Sequence, residues 1–221
     1  MRIAGFVPAS FVDWEGKVSF VVFARGCNFR CFYCQNFALI SPEGESIPVR
    51  SVLREIEERR SFLDGVVISG GEPTLQEDLG EFCRVVRGMG LGVKLDTNGS
   101  RPEVLWHLIK EGLLDFVAMD VKAPLHKYSQ VAGLRVDLNA VLNSVEILRS
   151  YLEPHQYEFR TTVAMPPLSP EDLKEIRNMI GPSPWVLQKL CPENMREAHP
   201  CRAPEVRELE EVAPGARLRG W

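Results

Sequence analysis

Three cysteines fall within one short segment, RGCNFRCFYCQN, as Cys27, Cys31 and Cys34. Thiolates are soft, charged donors that suit iron–sulfur clusters and zinc. Spacings of four and three put the donors on one loop, where they can bind three irons of a cubane. The fourth iron would stay open to a chelating cofactor or substrate. A structural zinc site answers the same spacing but requires a fourth ligand, for which only the distant Cys191, His199 and Cys201 offer themselves. Cys191 and Cys201 do not by themselves make a second cubane. Cys83, among apolar neighbours in a helical pattern, reads as core.

Further polar residues recur at positions that the chain's periodicity places together. Apolar, β-rich runs at Val18–Ala24, Gly65–Ser69, Leu91–Thr97, Phe116–Val121, Tyr157–Val163 and Trp185–Leu190 alternate with helical patterns near 49–61, 75–88, 101–112, 138–151 and 170–180. Such alternation predicts a parallel sheet with right-handed crossovers. Thr74 with Glu77, and Ser100 with Glu103, fit capping boxes. Ser169 and Asp137 fit N-caps, and Pro102 and Pro170 fit the first helical turn. Five or six β/α units fall short of a complete eight-unit barrel, so periodicity leaves an open sheet and a partial barrel both in play. Cys27, Glu72, Asp96, Asp120 with Lys122, Arg160 with Thr161, and Gln188 follow or end successive strands. In parallel α/β folds that edge is where sites are built.

With 45% apolar and 25% charged residues, the composition is that of a globular protein. A net charge of −4 and scattered Lys and Arg argue against nucleic acid as a partner. No apolar run approaches the length of a membrane span. The first seventeen residues lack the pattern of a signal peptide, so the expected location is the cytoplasm, where six cysteines are not expected to form disulfides.

CNFRCFYC, with Tyr33 before its last cysteine, resembles the CxxxCxxC signature of the radical S-adenosylmethionine (SAM) superfamily. The resemblance implies a partial (β/α)6 barrel over residues 1–190, with 191–221 as a tail. It also implies a [4Fe–4S] cluster on Cys27, Cys31 and Cys34 whose open iron is chelated by SAM. Reductive cleavage of SAM would then give a 5′-deoxyadenosyl radical that abstracts hydrogen. Gly70-Gly71-Glu72-Pro73 resembles the family's GGEP motif, in which the glycines let the backbone approach SAM and the carboxylate meets its ammonium. LDTNG at 95–99 and MDVK at 119–122 resemble the glycyl-radical-enzyme activating branch. Carried over, Lys122 pairs with the SAM carboxylate, while Asp96, Thr97 and Asp120 hold a monovalent cation. Arg160 and Gln188 resemble contacts to ribose or adenine. Asn36 completes a C-Q-N run where many relatives have C-H-N.

Compact length and the lack of extra cysteine-rich inserts look most like activators of anaerobic ribonucleotide reductase. The implied partners are a glycyl radical enzyme as protein substrate and a flavodoxin- or ferredoxin-type electron donor, in an anaerobic cell. Chemistry on a small molecule, in cofactor or modified-nucleoside synthesis, would use the same motifs.

Overall fold

The computed structural model describes residues 1–195 and 200–221. Its eight strands are ordered along the sheet as along the chain. They are β1 (Ile3–Ser10), β2 (Ser19–Ala24), β3 (Gly65–Gly70), β4 (Gly92–Thr97), β5 (Phe116–Asp120), β6 (Tyr157–Val163), β7 (Trp185–Lys189) and β8 (Arg217–Arg219). β1 runs antiparallel to β2; the β2–β3, β3–β4, β6–β7 and β7–β8 pairings are parallel. The helices are α1 (Val49–Arg59), α2 (Leu79–Gly88), α3 (Pro102–Lys110), α4 (Tyr128–Ala132), α5 (Leu138–Tyr151), α6 (Pro170–Ile180) and α7 (Val206–Val212). The mostly parallel α/β fold is therefore as expected, and the strand and helix between successive pairings supply the crossovers that parallel pairing demands.

The chain forms two compact units. The first comprises Met1–Asn28, Ala38–Thr97 and Arg101–Ala118. The second comprises Phe29–Phe37, Asn98–Ser100 and Met119–Trp221.

In the first unit the strands are buried runs, as in parallel sheets covered on both faces. Phe20, Val21, Val22, Val66, Val67, Ile68, Val93 and Leu95 are inaccessible to solvent. Trp14 packs on Val21 and Val67, with Phe23 and Phe116 alongside. Its ring lies where a side chain at Gly65 or Gly92 would be, so the first residues of β3 and β4 are glycines for want of room. β1 escaped sequence reading because Gly5 and Pro8 interrupt it, an interruption that suits its antiparallel place outside β2.

The strand ends in this unit are tied to one another. Gly71 N–H donates to Ala24 O at 2.9 Å and Glu72 N–H to Gly26 O at 2.8 Å. Gly26 and Cys27 donate in turn to Leu39 O and Ile40 O at 2.7 and 3.0 Å. Gly70 has φ +111°, and a Cβ there would lie 2.5 Å from the Ala24 backbone; one on Gly71 would lie 2.1 Å from Gly26 O. The glycine pair thus serves backbone-to-backbone contact with the end of β2, in addition to any approach to a ligand.

Two expected capping boxes do not form. Glu72 takes both the backbone N–H and the hydroxyl of Thr74, which turns Pro73–Leu75 into a short 3-10 helix and delays α2 until Leu79, without a side-chain cap. α3 starts after Arg101, again without one; Glu103 accepts from Arg101, and the Ser100 N–H donates to Asn98 Oδ1. A nearer acceptor won in each case. Asp137 caps α5 and Ser169 caps α6, the latter reciprocally with Asp172.

The second unit gathers α4 to α7 with β6 to β8. Residues beyond 190 contribute α7 and β8, and β8 is fastened through Arg217 and Arg219 to the buried Glu158 at 2.6 and 3.2 Å. Asp172 is 3% exposed and accepts from Lys127 Nζ at 2.6 Å and from Ser169 N–H at 2.7 Å. Burial alone would raise its pKa, but Lys127 and Ser169 outweigh it and hold the carboxyl below its ordinary range.

Asp172→Asn should therefore cost about 1–3 kcal/mol at neutral pH. A depressed carboxyl stabilises above its unfolded pKa and loses that contribution as pH falls through the folded value. The melting-temperature gap between wild type and variant should thus be constant above about pH 5 and close below about pH 4. Gly71→Ala should cost of the order of 2–4 kcal/mol by parting the strand ends. Gly88→Ala in α2, where nothing lies within 4 Å of the added carbon, should be neutral or stabilising by about 0.5–1 kcal/mol. Urea denaturation of the three proteins checks both.

Candidate functional site

Each unit presents its own group of polar residues at strand ends. In the first unit these are Cys27, Gly70, Gly71, Glu72, Pro73, Asp96 and Thr97. Glu72 is 1% exposed and its Oε1 accepts from Thr74 N and Oγ1 and from Thr97 Oγ1, the last at 2.8 Å. The GGEP carboxylate is thereby held by hydroxyls of the next strand and of its own turn. Asp96 Oδ2 accepts from Ser69 on β3 at 3.0 Å, and Oδ1 lies 3.7 Å from the ammonium of Lys94.

The second unit holds Cys31, Tyr33, Cys34 and Asn36 together with Asp120, Lys122, Arg160 and Gln188. Cys34 N–H bonds Cys31 O at 3.0 Å, and the backbone N–H of Asn36 bonds the Cys34 thiol. Burial pushes both thiols above their ordinary pKa, against an opposing pull from Lys122. Asp120 is bracketed by two cations, Lys122 Nζ on Oδ2 and Arg160 Nε on Oδ1, each at 2.8 Å. Burial would raise the Asp120 pKa, yet Arg160 and then Lys122 win and bring it down to about 2. Burial likewise works against the Lys122 charge, but Asp120, then Tyr33 and Cys31, keep its pKa well above the usual value. The ammonium lies 5.9 Å from the centroid of the Tyr33 ring. Tyr33 is buried, and its hydroxyl oxygen has no hydrogen-bond partner among the described residues. Gln188 sits on β7 opposite Thr162, part-exposed.

Sequence reasoning missed the element that backs the cysteine loop. α4 carries Tyr128, fully buried, whose hydroxyl donates to Asp120 O and accepts from Lys122 N–H, both at 3.4 Å. Phe29 meets the Tyr128 ring edge-on at 6.4 Å, and Arg30 N–H donates to Ala132 O. The helix ends at Gly133 with φ +72°, where a Cβ would lie 2.3 Å from Arg30 O. Gly133 after a short apolar pattern was the available signal. Lys94, alone among apolar neighbours in the middle of a strand, was another.

No group of three or more His, Cys, Asp or Glu side chains among the described residues is arranged to hold a metal ion. Cys191 and Cys201 are part-buried free thiols, and His199, the other candidate fourth zinc ligand, lies outside the described residues. No described helix is long and apolar enough to cross a membrane.

Comparison with known proteins bears on the family and the fold. A "putative glycyl-radical enzyme activating enzyme" of Methanocaldococcus jannaschii is 33% identical over 220 residues, which are 96% of this chain and 91% of that protein. A "probable GTP 3′,8-cyclase" of Pyrococcus abyssi is 27% identical over 176 residues, and the match spans 56% of its length. Among solved structures, TYW1 with a lysine-pyruvate adduct superposes with a TM-score of 0.65 at 15% identity, covering 88% of this chain and 71% of that one. Streptococcus suis SuiB bound to S-adenosylmethionine gives 0.62 at 13% identity, covering 90% of this chain and 49% of that one. These two likenesses concern the fold alone. The model of the radical SAM superfamily matches residues 21–180, and together with the full-length relative this places the chain in that superfamily.

Proposed function

We propose that the chain is a radical SAM activase that installs a glycyl radical on a partner enzyme. The observation that carries the cofactor part is charge. In the second unit two cations, Lys122 and Arg160, face one carboxylate, Asp120, and all three are largely withdrawn from water. Lys122 lies close enough to Cys31 and Tyr33 to act on both, so a charged donor able to take up an anion stands beside the cysteine loop. A carboxylate bound there would sit beside the cysteine loop.

The residues fit a [4Fe–4S] cluster and SAM by donor chemistry rather than by a preformed cage. Three thiols on one loop suit the cluster, and the buried, unpartnered Tyr33 hydroxyl offers a polar contact. Cys27, Cys31 and Cys34 would hold the irons. Lys122 would bind the SAM carboxylate, Glu72 its ammonium, and Arg160 and Gln188 the nucleoside. Bound together, cluster and SAM supply reductive SAM cleavage and hydrogen-atom abstraction. The chain's part is to bind and orient them and to keep water away. Asp120 holds the Lys122 ammonium in place, and Tyr128 fixes the backbone at both residues.

The activase assignment rests on the relative that matches almost end to end. It implies a protein substrate and a low-potential electron donor. The GTP 3′,8-cyclase relatives support a second reading, chemistry on a small molecule; the match to the Pyrococcus abyssi protein spans 56% of its length.

Reduced protein incubated anaerobically with SAM and a glycyl radical enzyme should form 5′-deoxyadenosine and a glycyl radical visible by electron paramagnetic resonance. Turnover of a metabolite, with no radical on any candidate partner, would reject the activase reading. Cys31→Ala should remove most cluster iron and abolish SAM cleavage. Lys122→Met should keep the iron and raise KM for SAM by about 10- to 100-fold, the worth of one charged hydrogen bond.

A further inference from the structure

Family resemblance puts a monovalent cation on Asp96, Thr97 and Asp120, and the partners of these residues do not fit one. In the first unit Lys94 and Asp96 are two apart on β4 and so project from the same face. Lys94 is 3% exposed. Its ammonium donates to the main-chain oxygen of Asp13, lies 5.5 Å from the Phe116 centroid, and stands 3.7 Å from Asp96 Oδ1. A buried ammonium is tolerated against an opposite charge, and the Asp96 carboxylate lies within salt-bridge distance. The Thr97 hydroxyl donates to Glu72. In the second unit Asp120 already has Lys122 and Arg160. An added metal cation at either carboxylate would meet a positive charge within a few ångströms and be repelled by it.

We propose that Lys94 is a positioning residue whose ammonium serves as the built-in counter-charge of Asp96, in place of a monovalent metal ion. The Trp14 loop, which supplies the Asp13 carbonyl, anchors the far side of that ammonium. Lys94 thus opposes the charge on Asp96 Oδ1 across an ion-pair distance of 3.7 Å, while Ser69 holds Oδ2 by a hydrogen bond from the neighbouring strand. For its bearing on SAM, the inference rests on the cofactor reading above; the ion pair itself does not.

The test uses anaerobically purified, cluster-loaded protein in sodium, potassium or choline chloride at equal ionic strength. The wild type should melt at the same temperature in all three and show the same KM for SAM. Lys94→Met should melt about 6–15 °C lower in choline chloride, regain part of the loss in sodium or potassium, and raise KM more than it lowers kcat. Lys94→Met/Asp96→Asn, with both charges gone, should be more stable than Lys94→Met alone. A wild type that is selectively stabilised by sodium or potassium, or a double variant no better than the single, would overturn the proposal. Should Lys94→Met fail to fold, the wild-type salt series and the double variant still decide. Should the wild type not bind SAM while melting follows the stated pattern, the cofactor reading falls and the ion pair stands.

Discussion

Charge withdrawn from water must be compensated within bonding distance, and that constraint organises both units of this chain. Asp120 exists as a carboxylate among buried neighbours because Lys122 and Arg160 stand against it at 2.8 Å. Glu158 is held by two arginines of β8, Asp172 by Lys127 and a backbone N–H. Such pairs contribute modest net stability, since desolvation consumes most of the attraction. They contribute position instead. Breaking one leaves a charge uncompensated, so the geometry at each strand end is narrowly defined.

Second to charge is the close approach of backbones. The turn after β3 and the loop after β2 exchange hydrogen bonds at distances that only glycine permits, because an added Cβ at Gly71 would overlap the Gly26 oxygen. The same device recurs where Gly133 lets α4 reach Arg30. A motif usually explained by what it binds is here also explained by what it joins. The end of β2 and the GGEP turn are one hydrogen-bonded assembly within the first unit.

Much of the fold was legible because its signals are local. The periodicity of Leu138–Tyr151 and Pro170–Ile180, with their Asp137 and Ser169 caps, predicts helices with the observed bounds. The run Tyr157–Val163 is likewise the observed β6. What failed did so where tertiary partners outbid local ones. Thr74 was taken by Glu72 rather than by Glu77, and α2 shifted by four residues from its expected start. α4, α7 and β8 are short, and their stability comes from neighbours rather than from propensity. At the site, residue types and spacing pointed to the strand ends. The partners were not legible, because Arg160 meets Asp120 across forty residues of sequence and Thr97 meets Glu72 across twenty-five.

β8 has a consequence outside the chemistry. Three residues pair in parallel with β7 at Val186, Leu187 and Gln188, and Trp221 reaches back to the Pro204 carbonyl at 3.0 Å. These last residues occupy an edge whose amide groups would otherwise be open to any passing strand. β8 thus covers the outer edge of β7, and without it the ladder groups of Val186 to Gln188 would lose the partners they have there.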